Sequence, residues 1–431
     1  MAKPQDLPPL RLAAPDPEGP SARITRRAAD RLRQGHLWVY RTDIEQLNPA
    51  PDTPAIPPGT LVTVLDSRGV PLGTALFSDA SQIALRVVST TPRLARPEYL
   101  AYLEQRIHAA LDLRHSLAPV SPTNNAHRLV FSEADNLPGI VADRYNDLIL
   151  LQLLTQGTAQ PDVRALIAQV FASRLQPENG SLTIWERPDP RIREMEALAP
   201  APTEPAFSSA PEPKTQTTFT LNGLHFHYDA SSGQKTGAFL DQRLNYAAAA
   251  AHAHGRALDI CTYQGGFALH IAQACTRVTG VDSSRAALKV ADANLLLNPR
   301  LAEKGNVDWI EADAFDLLRA YESQGERFDT IVLDPPAFAK SKRALEGALR
   351  GYKELNLRAL KLLAPGGTLI TCSCSHHVSL QEFTGILTEA AADSHRRVQL
   401  LETRGAASDH PAILTLPETT YLKCLIARVD S

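Results

Sequence analysis

Residues 364–377, APGGTLITCSCSHH, bring two alternating thiols, Cys372 and Cys374, up against two imidazoles, His376 and His377. Pro365-Gly366-Gly367 is a turn signal and residues 368–371 form a short β-type run, so reactive side chains crowd a strand end. An ionised thiol is a nucleophile, and a neighbouring imidazole can carry a proton. The structural alternative is a buried strand in which cysteine fills space as a small apolar residue. A zinc site from Cys372, Cys374, His376 and His377 is a further alternative, weakened because such close spacing strains tetrahedral ligation.

The run at 368–374 closes a series that starts near residue 219. Residues 257–261 (ALDIC) read as a strand, Gly265-Gly266 as a turn and 267–275 as a helix. Residues 278–281 form the next strand and end at Asp282, followed by a helix over 284–297. Strands at 307–310 and 330–333 end near Asp313 and at Asp334. This strand-helix alternation predicts an α/β, Rossmann-like doubly wound sheet, with its ligands at the carboxyl ends of the strands. The turn Asp259-Ile260-Cys261-Thr262-Tyr263-Gln264-Gly265-Gly266-Phe267 lacks the G-x-G-x-x-G spacing that wraps a pyrophosphate, so a dinucleotide is disfavoured. Asp282 stands where an acid accepts bonds from both hydroxyls of a ribose. A ribose without pyrophosphate, with Asp313 near an adenine edge, suits S-adenosylmethionine. Aspartates that only cap the following helices are the bland alternative.

The remaining chain divides by composition. Residues 1–20 are proline-rich and are expected to be disordered. Residues 21–94 form a small β-rich module, with a helical pattern over 24–37 and strands at 60–65, 71–77 and 83–88. Residues 95–198 are expected to be α+β, with helices at 98–117 and 163–175, strands at 147–154 and 181–186, and a turn-rich passage at 131–140 whose acids are structural. Residues 199–218, APAPTEPAFSSAPEPKTQTT, are expected to be a linker or exposed loop, and 219–431 the catalytic domain. An odd five cysteines in a chain of 431 residues predict reduced thiols. With no signal peptide or membrane-spanning run expected, the chain is placed in the cytoplasm, with no membrane partner.

The formal net charge of -3 gives no general case for nucleic acid, so that case rests on local patches. Arg23, Arg26, Arg27, Arg31, Arg33 and Arg41 surround Trp38 and Tyr40, and Lys340, Lys342, Arg343, Arg350, Lys353, Arg358 and Lys361 form a second patch. Each could be a solvated face. Arginine interleaved with aromatics also suits RNA, since guanidinium groups fork onto phosphates and rings stack on bases. The candidate RNA contacts are Arg26, Arg27, Arg31, Arg33, Trp38, Lys340 and Lys353.

Across residues 23–429 the chain resembles the class I methyltransferases that make 5-methylcytosine in bacterial 23S ribosomal RNA, in which a PUA domain precedes the catalytic domain. The resemblance rests on Gly35-His36-Leu37-Trp38-Val39-Tyr40, Asp135-Asn136-Leu137-Pro138-Gly139-Ile140, Lys235-Thr236-Gly237-Ala238-Phe239-Leu240-Asp241-Gln242-Arg243, and Tyr263 with Gly265, Gly266 and Phe267. Further on it rests on Asp334-Pro335-Pro336-Ala337-Phe338, Arg350-Gly351-Tyr352-Lys353-Glu354-Leu355-Asn356, Ser373-Cys374-Ser375, Asp409-His410-Pro411 and Tyr421-Leu422-Lys423. It implies that residues 21–94 are a PUA domain, that the cofactor is S-adenosylmethionine, and that the partner is 23S rRNA, naked or partly assembled. A homodimer is a further expectation. It also implies cofactor contacts at Asp259, Tyr263, Gly265, Gly266, Phe267, Asp282, Asp313, Ala314 and Asp334, with Gln242 and Arg243 near the methionine end.

The implied chemistry explains the thiol. Cytosine C5 is a poor nucleophile until a thiolate adds at C6, and Cys374 matches the family's nucleophile. Asp334 is expected to bond N3 and the exocyclic amine, on a loop stiffened by Pro335 and Pro336. Better-known RNA cytosine-C5 methyltransferases carry a second cysteine after the proline of this loop. Here Pro336 and Ala337 stand there, and His376, His377 or water is left to release the product. The rival readings are an N-methyltransferase acting on a purine amine, which needs no thiol, and a non-catalytic RNA-binding assembly protein, which needs no cofactor pocket.

Overall fold

The computed structural model describes residues 7–178, 180–187, 189–231, 238–339 and 342–431. The N-terminal module is a six-stranded sheet of β1 (Ser21–Ile24), β2 (Trp38–Tyr40), β3 (Ile44–Asn48), β4 (Leu61–Leu65), β5 (Pro71–Phe77) and β6 (Ile83–Ser89), in the order β2-β6-β5-β4-β1-β3. Its core gathers Ala22, Ile24, Val39, Val62, Val64, Phe77 and Leu85. The helix expected over 24–37 is shorter, α1 (Arg26–Arg33). Thr25 starts it by accepting the Ala28 N–H at 3.3 Å, and Gly35 at φ 89° follows its end. The stretch expected to be disordered is paired from residue 11 onward: Ala13 N–H donates to the Leu47 carbonyl and Leu47 N–H to that of Arg11, both at 2.8 Å. Edge-strand backbone groups satisfied in this way order even a proline-rich segment.

The central region contains α2 (Arg96–Leu117), β7 (Ala126–Phe131), β8 (Ile140–Tyr145), β9 (Leu148–Leu153), α3 (Pro161–Leu175), β10 (Thr183–Glu186), α4 (Pro190–Met195) and β11 (Phe207–Ser208). Its sheet order is β11-β10-β9-β8-β7, packed against Leu103, Ile107 and Leu111 of α2 and Val163, Ile167 and Phe171 of α3. The turn-rich passage joins two strands, and Asp135 in it accepts from the buried Arg114 guanidinium and from the Phe131 N–H. The expected linker is not free, because Phe207 and Ser208 pair with Ile184 and Thr183 as an edge strand.

The hairpin β12 (Gln216–Leu221) and β13 (Leu224–Asp229) leads to α5 (Arg243–His252), β14 (Arg256–Ile260), α6 (Gly266–Ile271), β15 (Arg277–Asp282), α7 (Arg285–Leu296), α8 (Pro299–Lys304), β16 (Val307–Glu311), α9 (Ala314–Gln324), β17 (Phe328–Leu333), α10 (Leu345–Leu362), β18 (Leu363–Ser373), α11 (Leu380–Asp393), β19 (Arg397–Arg404) and β20 (Lys423–Asp430). The strands form one sheet, β16-β15-β14-β17-β18-β20-β19. β14 to β18 are parallel, and β20 runs antiparallel to both of its neighbours. The order reverses between β14 and β17, which opens a crevice at their carboxyl ends. This is the Rossmann-like class I architecture that the resemblance implies, preceded by a β-rich and an α+β region. One apolar cluster runs from Tyr145 and Leu150 of the central region through Phe219 and Tyr228 of the hairpin to Phe267 and Ile370 of the large sheet. The Tyr145 and Tyr228 rings stack at 4.2 Å.

Candidate active site

Beyond β14 the chain turns through Cys261 and Tyr263, both at positive φ (64° and 51°), a conformation costly for residues with a Cβ. The turn is held from several sides. Thr262 Oγ1 donates to Asp259 at 2.6 Å, the Tyr263 N–H donates to Asp282 at 2.9 Å, and Gly265 takes φ 85°. A Cβ on Gly266 would lie 2.6 Å from the Tyr246 ring, so only glycine fits there. Above the turn lies a cavity of about 610 Å³, within the usual range for small-molecule sites. Gln242, Tyr263, Asp282, Asp313, Ala314 and Asp334 line it, together with Cys374. Gly266 and Phe267 line a smaller recess that shares Phe239, Cys261, Tyr263 and Asp334 with it. Asp259 lies beneath the turn, its carboxyl pushed up to about 7 by burial. Arg243 does not line the cavity. Its guanidinium turns to Asp409 at 3.1 Å.

Cys374 follows the last residue of β18, with its Sγ 4.0 Å from the Pro335 carbonyl of the Asp-Pro-Pro loop. Ser375 fixes the two loops together: its Oγ accepts from the Ala339 N–H at 3.2 Å and lies 2.9 Å from the Tyr352 hydroxyl. Asp334 accepts from Gln242 Nε2 at 3.1 Å. Burial, with Asp241 and Asp259 nearby, pushes its carboxyl up to about 8. Burial and the charges of Asp334 and Asp241 push the Cys374 thiol up to about 11, while Lys423 pulls the other way. Cys372 faces Cys424 across the sheet and is fully buried, a filler instead of a second reactive thiol. Among the described residues no three of His, Cys, Asp and Glu are grouped to hold a metal, so the zinc alternative has no geometry behind it.

Residues 203–420 match the model of an S-adenosylmethionine-dependent methyltransferase, and residues 22–90 that of a PUA-like domain. Ribosomal RNA large subunit methyltransferase I of Erwinia tasmaniensis is 37% identical over 400 residues, covering 92% of this chain and 96% of that protein. The same enzyme of Photobacterium profundum is 36% identical over 394 residues, covering 91% and 95%. The chain belongs to the ribosomal RNA large subunit methyltransferase I family. A solved Streptococcus mutans protein described as a SAM-dependent methyltransferase shares the fold, with a TM-score of 0.76 at 19% identity over 95% of this chain and 99% of that one.

The family's cofactor is S-adenosylmethionine, and the donor set fits it. Asp282 holds the turn through the Tyr263 and Ser284 N–H groups, and each carboxylate oxygen keeps a lone pair for a ribose hydroxyl. Asp313 also caps α9, accepting from Phe315 and Asp316 at 2.9 and 3.1 Å, so the capping and cavity-lining readings hold together for this residue.

Three residues of this methyltransferase escaped individual assignment from the sequence. Asp241 lines the cavity and accepts from the Tyr421 hydroxyl at 2.5 Å. Asp409 accepts from Arg243 and from the Arg128 N–H, and its carbonyl from Arg114, tying the 405–422 segment to the central region. Lys423 donates to the Ser375 carbonyl at 2.7 Å. All three fall in motifs that carry the family resemblance, which was the available signal.

The expected RNA contacts fare unevenly. Asp43 takes both Arg27 and Arg31, and Asp66 takes Arg33 at 2.6 Å, so acids distant in sequence neutralise much of the patch. Arg26 stays 87% exposed, with Asp30 at 3.8 Å. The Trp38 indole N–H donates to Glu133 at 2.8 Å, which makes it a contact between domains. Lys353 pairs with Glu389 and Asp393 at 3.1 and 3.0 Å, and Lys340 lies outside the described residues.

Proposed function

We propose that this chain methylates C5 of a cytosine in 23S rRNA through a transient bond between Cys374 and C6. The observation that carries the reading is a thiol and a buried carboxyl, Cys374 and Asp334, facing one cavity from two loops that Ser375 ties together. Cys374 adds to C6. Asp334 donates to N3 and accepts from the exocyclic amine, so the ring can take the electron pair without building up full charge. S-adenosylmethionine, when bound, supplies the methyl group that the activated C5 takes. His376, His377 or water takes the C5 proton, the freed electron pair expels the Cys374 thiolate, and N3 returns its proton to Asp334, which restores the ring. The names of the relatives support a large-subunit rRNA substrate, and the PUA-like domain supports RNA binding. Because C5 and C6 are reached only in an unstacked base, naked or partly assembled rRNA is the expected form.

The test is methylation of 23S rRNA from cells lacking the gene, mapped by mass spectrometry. Wild-type protein should restore a methyl group on one cytosine, and C374A should restore none. Transcripts containing 5-fluorocytosine, which cannot lose its C5 substituent as a proton, should trap a denaturation-resistant protein-RNA adduct that C374A does not form. Full activity of C374A would instead indicate transfer to an amine.

A further inference from the structure

We propose that Leu414 is a wedge for the RNA substrate, entering the base stack where the target nucleotide leaves it. The inference rests on the reading of an unstacked rRNA base given above. Leu414 lies in the connection between β19 and β20, and both feet of that connection are tied to Asp241. The Ala407 N–H donates to the Asp241 carbonyl at 2.7 Å, and the Tyr421 hydroxyl donates to its carboxylate at 2.5 Å. Asp241 and Tyr421 line the cavity that Cys374 and Asp334 face, so the connection rises from the cavity wall. Asp409 and Leu416, both fully buried, hold it down on either side of Leu414. Thr419 closes its tip: the Ile413 N–H donates to the Thr419 hydroxyl at 3.0 Å, and that hydroxyl donates to the Leu416 carbonyl at 2.8 Å. A Cβ on Gly35 would come 2.9 Å from Thr415 Cγ2, so the PUA-like domain abuts the same tip.

On this pinned tip Leu414 is 98% exposed, whereas the next large apolar side chain among the described residues, Leu296 of α7, is 67% exposed. An apolar side chain gains free energy by leaving water for an apolar surface. The substrate supplies one at this place. A base swung into the cavity leaves its two former neighbours with bare faces and a gap between them, and leucine is among the residues that proteins insert between base steps. Leu414 offers no hydrogen bond to a base edge, so it helps extrusion without choosing which base is extruded. Its place between the PUA-like domain and the cavity also sets the path of the strand, from that domain across the tip to Cys374.

The test places the photoreactive p-benzoylphenylalanine at position 414 of the full chain. The protein is irradiated with 23S rRNA from cells lacking the gene, and cross-links are read as reverse-transcription stops. The expected result is a cluster of stops at the immediate neighbours of the nucleotide on which wild type restores a methyl group. Stops that are absent, scattered or remote from such a nucleotide overturn the proposal. L414A should lower kcat about tenfold with melting temperature and S-adenosylmethionine affinity unchanged, and L414M should restore most of the loss. In a short synthetic RNA carrying the site, an abasic residue beside the methylated nucleotide removes a stacking partner, and L414A should then come within about twofold of wild type. An L414A as active as wild type on intact rRNA overturns the proposal, and so does a loss that the abasic RNA fails to relieve. Full activity of C374A would refute the nucleophile reading and leave these outcomes as they are, so the two fail separately.

Discussion

Asp334 and Asp259 are carboxyls whose burial outweighs their hydrogen bonds, so each holds a proton well above the ordinary carboxylate range, to about 8 and about 7. The native state then binds more protons than the unfolded chain between that range and neutrality, so stability must fall as pH rises through it. The loss is complete only above the folded values. Replacing Asp334 with asparagine removes its part of the penalty. D334N should therefore melt at the same temperature as wild type in acid and at a higher one above about pH 8, by on the order of a few kcal/mol in stability. Calorimetric melting of both proteins across that range checks the sign. Methyl transfer by D334N should fall about a hundredfold or more, since the amide cannot supply the proton to N3.

At the scale of elements, the loops that carry Cys374 and Asp334 are tied through Ser375, and that tie can be removed singly. Y352F deletes the hydroxyl 2.9 Å from Ser375 without opening a cavity. It should cost about 1 kcal/mol in stability by denaturant titration, with a larger proportional loss in kcat than in KM. Asp409 carries more, because D409A strands the buried Arg243 guanidinium and the Arg128 N–H. About 3–5 kcal/mol of destabilisation is the expected outcome of chemical denaturation. β15 and β17 were legible from apolar runs ending in acids, since a parallel strand buried on both faces leaves that mark, whereas β14 runs into Cys261 and β16 is an edge strand with no fully buried side chain. β19 was not, because it is an edge strand with mostly exposed side chains, and β3 turns only Leu47 fully inward. Of the cavity acids, Asp282, Asp313 and Asp334 were legible near strand ends, and Asp241, in the turn before α5, was not. Asp409 and Lys423 bond residues far off in sequence, and no local period records such contacts.

The whole molecule is joined across its domains by buried charge. Glu196 accepts from Ser78 Oγ at 2.8 Å and Arg86 at 3.3 Å, and the same arginine lies 3.9 Å from Glu133, which holds Trp38. E196A should uncouple the PUA-like domain, which would then melt as a separate, earlier transition in calorimetry. Arg26, well exposed and weakly paired, is the better candidate among the arginines for a phosphate contact. R26A should weaken RNA binding, reduce the slope of log affinity against log salt by about 1, and leave kcat unchanged. The stacked rings of Tyr145 and Tyr228 carry one more consequence. A fragment cut at the start of the matched catalytic region, near residue 203, would leave the outer face of its hairpin bare to water, with Phe219 and Tyr228 no longer covered by Tyr145 and Leu150. Such a fragment should self-associate during purification, whereas one that begins before α2 should stay dispersed.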